Sequence, residues 1–328
     1  MHDQDDFDDA LTRWLRAGGD AGSSTTVVVE ALPGDVSPRR YYRVSIAGDR
    51  SIVARYPPEL LPAALRFERT SRLLAAAGVR VPAIRRFDAD AGLMLLEDVG
   101  SATLFDWRDR SWAALRPYLE GALEALGRVQ TIEPSAVAAL QPPLDAEALE
   151  RELAMTWDVF LEPNGLTGGP ALARRLRSFL ESLCRDLEAG GLVPCHRDFM
   201  ARNLVPMAAS PLVAVLDHQD LRLGPADYDA ASLLNDSLYP PAATARALLG
   251  DELFDRAGYH RAAVQRTLKI VGTFASFARR GQPRHLPLIP VSLARCLEHL
   301  AALPEAGLAA DLRRAWAGAI EPGDRLLE

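Results

Sequence analysis

No apolar run in this chain approaches the roughly 20 residues that a membrane-spanning helix requires, so the sequence does not read as a bilayer-embedded protein. Cysteine is scarce. Cys184, Cys195 and Cys296 are odd in number and lack metal-like spacing, which argues against both a disulfide framework and a zinc site. Positive charge is not in surplus: the formal net charge is −7, whereas a nucleic-acid binder carries a basic patch or stripe. A phosphate ligand stays compatible with that balance, because a few local cations and a metal suffice to hold one. The opening residues MHDQDDFDDA are acidic, the opposite of a secretory signal's positive start. Internal repeats and low-complexity tracts are absent. What remains, with 48% apolar and 25% charged residues, is an ordinary globular composition expected in the cytoplasm. At 328 residues the chain exceeds the usual single core, so two lobes are expected.

The pattern along the chain changes once. Residues 5–17 place Phe7, Ala10, Leu11, Trp14 and Leu15 on one helical face, and Gly18-Gly19 end that helix. Short β-type runs follow at 25–29, 41–46 and 51–56, separated by the turns 33–38 and Gly48-Asp49. A helix is predicted over 59–77, closed by Gly78, then strands at 83–87 and 92–97. Beyond Gly100 the periodicity is helical, near 111–130, 145–161, 170–190, 242–257, 259–280 and 286–302. Only 192–220, with short apolar runs such as 212–216, interrupts it. The expected fold class is therefore α+β, a small β-rich lobe with one inserted helix (1–98) followed by a larger, mainly helical lobe (99–328).

The chemistry concentrates in Cys195-His196-Arg197-Asp198-Phe199-Met200-Ala201-Arg202-Asn203-Leu204. This run fits H-R-D-x-x-x-x-N, a loop in which the Asp accepts a substrate hydroxyl proton and the Asn binds magnesium. Fourteen residues after Asn203, Asp217 ends the apolar run Val213-Ala214-Val215-Leu216. A buried strand ending in a carboxylate suits a second magnesium ligand, since a hard cation bridging phosphates wants few protein ligands, all oxygen. A D-x4-N pair alone is weak. The preceding His196-Arg197, the strand ending in Asp217 and the β-rich lobe upstream make the combination specific.

Those segments, with Leu216-Asp217-His218-Gln219-Asp220 and GPADYDAASLL (224–234), resemble the aminoglycoside phosphotransferase family. GDVSPRRYYRV (34–44), MLLEDVG (94–100), LKIVGTFASF (268–277) and Pro283-Arg284-His285-Leu286 are similar to one branch, the anomeric N-acetylmuramate and N-acetylglucosamine kinases of cell-wall recycling. The resemblance runs from about residue 30 to 300. It implies a protein-kinase-like two-lobe fold and an ATP- and Mg²⁺-dependent kinase acting on a sugar hydroxyl, the anomeric one in that branch. It also implies Asp198 as base, Asn203 and Asp217 as metal ligands, and the backbone of Glu97 to Val99 as the hinge that meets adenine. His196 and Arg197 support the loop. Asp229 is expected to brace it as well as to cap the following helix, a cap role its place at a helix start also suggests.

Other assignments stay open between function and plain structure. The turn with Gly34 and Ser37 is either a hairpin turn or the phosphate-covering loop. The third strand, where such kinases carry a lysine, offers Arg55, and the two cations are not interchangeable. Glu68 either pairs with Arg55 or makes an i,i+4 surface pair with Arg72. Arg202, Gln219, Asp236 and the aromatic Trp157 are candidate sugar contacts, each also explicable by solvent exposure or internal pairing. An aminoglycoside acceptor and a nucleotide-binding pseudokinase are the competing readings. The sequence assigns no nucleic-acid partner and no oligomeric state.

Overall fold

A computed structural model describes residues 2–22, 25–32, 38–210 and 212–320, with backbone only for 2–7. The turn residues Gly34 and Ser37 lie outside them. Helix α1 (His2–Ala17) precedes a five-stranded antiparallel sheet built from β1 (Val27–Ala31), β2 (Arg40–Ile46), β3 (Asp49–Arg55), β4 (Ile84–Asp88) and β5 (Leu93–Glu97), in the spatial order 1-2-3-5-4. Helix α2 (Leu61–Ala76) enters between β3 and β4.

Strand alternation gives this sheet two buried faces. Tyr42, Val44, Val53, Leu93 and Leu95 pack with Leu11 and Leu15 of α1. Tyr41, Ile52, Ala54, Met94 and Leu96 pack with Ala64 and Phe67 of α2. Gly92 has φ of 63° at the tip between β4 and β5, and a Cβ there would lie 2.4 Å from the Tyr56 carbonyl. Only glycine fits that turn without displacing backbone.

The large lobe contains α3 (Trp112–Gln130), α4 (Pro134–Ala138), α5 (Ala146–Thr156) with a π-turn at Trp157–Leu161, and α6 (Pro170–Ala189). Four short strands follow, β6 (Leu192–Cys195), β7 (Leu204–Pro206), β8 (Val213–Val215) and β9 (Arg222–Pro225), pairing as β6 with β9 and β7 with β8. Next come α7 (Tyr228–Asn235), α8 (Ala242–Phe254), α9 (Ala257–Arg279), α10 (Ile289–Ala301), α11 (Ala306–Ala315) and α12 (Ala317–Ile320). Helix α9 is the hub and packs on α5, α6, α7 and α10. It comes close to α5 at Gly272, where a Cβ would meet Thr156 Oγ1 at 2.2 Å. The freed space lets Thr156 donate to the Leu268 carbonyl at 2.9 Å. No helix among the described residues is long and apolar enough to cross a membrane.

The hub hides a histidine pair. Asn235 donates through Nδ2 to the Tyr259 hydroxyl, so its Oδ1 accepts from His299 Nε2 at 2.9 Å. His299 Nδ1 is then an acceptor for His260 Nδ1–H at 2.8 Å, an arrangement that needs His299 neutral. Burial, with His260 adding to it, pulls His299 down to about 3. The unfolded chain takes up a proton near the ordinary histidine value of about 6.5 that the native state refuses. Stability is therefore fully present above about pH 6.5 and is expected to fall toward pH 3, by about 1.4 kcal/mol per pH unit from this residue. Urea melts across that window check it, and His299→Gln should flatten the slope.

Candidate active site

The loop after β6 is held from several sides. Asp229, in the first turn of α7, accepts from the backbone amides of His196 (2.6 Å) and Arg197 (2.9 Å). Arg197 has φ of 76°, a left-handed conformation uncommon outside glycine. Its carbonyl accepts from Arg266 at 3.1 Å, and its guanidinium forks to Glu152 (2.9 Å) and Asp220 (3.0 Å). His196 Nε2–H donates to the Leu216 carbonyl at 3.0 Å. Strain of this kind persists only where surrounding contacts over-determine it, and it clusters at functional sites.

Asp198 follows directly. Arg266 Nη1 (3.0 Å) and Lys269 Nζ (3.3 Å) both lie on its Oδ1, which leaves Oδ2 to accept from an incoming hydroxyl. Both cations come from α9, three residues apart and so on one helix face. Arg266 is 1% exposed and turns its Nη2 and Nε to Asp236 Oδ2, at 2.5 and 3.2 Å. Burial pushes the Asp198 carboxyl up, but Lys269, Arg266 and Arg197 outweigh it and hold the group far below the usual carboxylate range. Asp198 is thus a fixed carboxylate at neutral pH, with a side chain still 21% exposed to the cleft. Arg266 is absent from the residues singled out in the sequence, and Lys269 enters there only inside the segment 268–277, without a role. One signal was there: Lys269 is the only lysine of the chain.

The second carboxylate arrives through the β7–β8 hairpin. Leu204 faces Val215, and the ladder continues one step as Leu216 N donates to the Asn203 carbonyl at 2.8 Å. This sets Asn203 beside the residue before Asp217. Asn203 Nδ2 donates to the Asp198 carbonyl at 2.8 Å, so its side-chain oxygen stays available as a ligand. Asp217 has φ of 56° and a side chain 40% exposed. Its Oδ1 receives Gln219 Nε2 (2.8 Å) and, from the small lobe, Arg39 Nη2 (3.2 Å). Gln219 Oε1 is buried without a partner. One amide oxygen, one carboxylate and an orphaned amide oxygen form a hard, all-oxygen donor set that fits a largely hydrated magnesium ion.

The lobes meet just behind that carboxylate. His218 stacks on Phe67 of α2 with ring centres 4.3 Å apart. Thr70 donates to the Phe67 carbonyl, so its oxygen accepts from His218 Nδ1–H at 2.7 Å, and Ser71 lies 3.2 Å from Nε2. Burial drives His218 down to about 3, which keeps it neutral and structural. Glu97 ends β5 in an ion pair with Arg80 and accepts from the Ala83 amide. Val99, two residues on, is half-buried in the connection between the lobes.

Four expectations need correction, and the open choice at Glu68 closes. Arg55 shares the strand parity of Val53 on the α1 side of the sheet and is exposed, so it points away from the face that meets Asp217. Glu68 takes the surface alternative and pairs with Arg72 at 2.6 Å. Trp157 is a core residue, 5% exposed beneath the guanidinium of Arg177, and not an open stacking platform. Asp236 is 3% exposed and engaged by Arg266, so it positions the partner of Asp198 instead of offering oxygens to a sugar. Asp229 braces the loop but is not the cap of α7, whose preceding residue is Asp227.

Comparison with known proteins agrees with this geometry. The family model described as "Phosphotransferase enzyme family" matches residues 28–264. A curated relative from Pseudomonas aeruginosa, named N-acetylmuramate/N-acetylglucosamine kinase, is 35% identical over 281 residues, covering 78% of this chain and 79% of its own. A choline/ethanolamine kinase family protein from Mesorhizobium loti superposes with a TM-score of 0.61 at 16% identity, covering 94% of this chain and 99% of its own. The GDP complex of aminoglycoside 2'-phosphotransferase-IIIa gives 0.57 at 16% identity, covering 88% and 97%. These last two likenesses establish the protein-kinase-like fold. With the family model matching well over half its length, the chain belongs to the APH phosphotransferase enzyme family.

Proposed function

We propose that the protein is an ATP- and Mg²⁺-dependent sugar kinase that phosphorylates the anomeric hydroxyl of N-acetylmuramate, N-acetylglucosamine or a closely related hexose. The observation that carries this reading is Asp198, whose Oδ1 is fixed by Arg266 and Lys269 while its side chain stays 21% exposed. The name of the Pseudomonas aeruginosa relative supports the choice of sugars. When bound, the metal would neutralise phosphate charge, held by Asn203 and Asp217.

The chain's own residues do the rest. Asp198 Oδ2 accepts the hydroxyl hydrogen bond and orients the oxygen lone pair for transfer. Its depressed proton affinity makes it an orienting acceptor first, and it takes the proton late, as the oxygen's charge is lost to the new bond. Lys269 then faces a neutral carboxyl, so its positive charge becomes available to the transferred group.

Arg202 supports an acid-bearing acceptor. It stands between Asp198 and Asn203 in sequence, stacks 3.4 Å over the Phe105 ring centre, and its Nε is buried without a partner. N-acetylmuramate differs from N-acetylglucosamine by an ether-linked lactyl carboxylate, a natural partner for such a group. Arg202→Met is expected to raise KM for N-acetylmuramate about tenfold and leave that for N-acetylglucosamine within about twofold.

The deciding assay is coupled ADP release with ATP and Mg²⁺ across these sugars, other hexoses and kanamycin, with phosphorus NMR of the product. An anomeric phosphate on an amino sugar supports the proposal. Turnover confined to kanamycin, or nucleotide binding without turnover on any acceptor, overturns it.

A further inference from the structure

Such kinases need a cation against the nucleotide phosphates, and the strand where one is usually found turns its arginine away. We infer that Arg39, just before β2, is the phosphate-binding cation of this protein; the inference rests on the cleft being a nucleotide site. Three observations converge on it.

The first is parity. In the β2–β3 register Tyr41 faces Ala54 and Tyr42 faces Val53. Tyr41 and Ala54 belong to the α2 face, and Tyr42 and Val53 to the α1 face. Arg39 is two residues before Tyr41 and so shares the α2 face, the one that meets the large lobe through Phe67, Thr70 and Ser71. Arg55 has the other parity.

The second is reach. Arg39 Nη2 lies 3.2 Å from Asp217 Oδ1, across the cleft and 178 residues along the chain. Its side chain is 14% exposed, with the Tyr41 ring centre 5.9 Å from its guanidinium carbon. The packed aromatic side limits the directions in which the fork can swing.

The third is charge. Asp217 is the candidate metal ligand, and its Oδ1 is occupied by Arg39 and Gln219. A divalent cation held by Asp217 would compete for that oxygen and free the Arg39 guanidinium for other anionic partners in the cleft. A planar guanidinium suits this task, because its two-pronged hydrogen bonding matches phosphate oxygens. In the described arrangement Arg39 keeps the carboxylate paired. On nucleotide binding it exchanges the carboxylate for phosphate oxygens of the nucleoside di- or triphosphate.

Equilibrium binding separates this from a purely structural role. Affinities for adenosine and for ADP, with and without Mg²⁺, would be measured by calorimetry on the wild-type protein, Arg39→Met, Arg39→Lys and Arg55→Met. Arg39→Met is expected to weaken ADP binding at least about tenfold and leave adenosine binding unchanged. Arg39→Lys should recover part of the loss, since it restores charge without the fork. Arg55→Met should match wild type for both ligands. Unchanged ADP affinity in Arg39→Met overturns the inference, and so does a loss in Arg55→Met. An equal loss of adenosine and ADP affinity also overturns it, because that marks a disturbed fold. If wild type binds adenosine but not ADP, the phosphate site fails while the nucleoside reading stands. If wild type binds neither, the nucleotide reading itself has failed and this inference falls with it.

Discussion

Asp198→Asn is expected to lower kcat by about 10² to 10⁴-fold with little change in the KM for ATP, measured as ADP release under saturating nucleotide and magnesium. Asparagine keeps the size of the side chain, and its oxygen can still accept from Arg266 and Lys269 at the Oδ1 position. What it loses is the second anionic oxygen, the one free to orient and finally receive the hydroxyl proton. It also removes the charge that balances Lys269, so the ammonium is expected to draw the acceptor or a phosphate out of line. Near-normal turnover in the asparagine variant would sink the assignment of Asp198 as base. A companion substitution tests how the base is tuned. Lys269 is the largest of the charges pulling Asp198 down, so Lys269→Met should move the acidic limb of the kcat/KM profile to higher pH. Activity falls there as pH drops, because protonated Asp198 cannot accept.

Arg266→Met is expected to cost about 3 to 5 kcal/mol of folding stability, read from urea unfolding followed by tryptophan fluorescence. The magnitude follows from what is left behind, not from the worth of the ion pairs themselves. Asp236 is 3% exposed and its Oδ2 takes two bonds from this one guanidinium. Without Arg266 it is a buried carboxylate with only Ser237 described on its other oxygen, and burying an unpaired charge is among the costliest single changes. Arg197's carbonyl and Asp198 lose a donor at the same time. The double variant Arg266→Met with Asp236→Asn removes the orphaned charge, so it should recover more than half of the stability. It should not recover kcat, because the Asp198 oxygen held by Arg266 is still loose. If the double variant is no more stable than the single one, the cost lies in packing around the arginine stem and not in the stranded carboxylate.

Much of this protein was legible in one dimension because its signals are local. The candidate catalytic loop, 196–203, and the strand ending in Asp217 declare themselves through residue type and spacing, and a hairpin of short strands needs only that spacing to bring Asn203 beside Leu216. The two-part organisation was readable too, since hydrophobic period changes from two to 3.6 near Gly100. Helix α7 was not. All eight of its residues, Tyr228 to Asn235, are buried, so no polar face marks a helical period.

What only the tertiary structure decided is which distant side chains share a carboxylate. Arg266 and Lys269 lie on a helix some seventy residues beyond Asp198, and a helical pattern reveals that they share a face but not what that face meets. Asp236 looked like a cleft residue until the same arginine took it inside, and Trp157 looked like a platform until α6 covered it with Arg177. Arg55 and Arg39 make the point most sharply. Both stand at strand ends, and strand parity says that they lie on opposite faces of one sheet. Which face looks into the cleft is settled by the docking of α2 on His218, a packing contact between lobes that leaves no trace in either segment alone. Sequence determined the chemistry available to this protein, because reactive groups and their local spacing are encoded residue by residue. The three-dimensional chain alone decided which cations serve that chemistry, because charges act through space and not along the backbone.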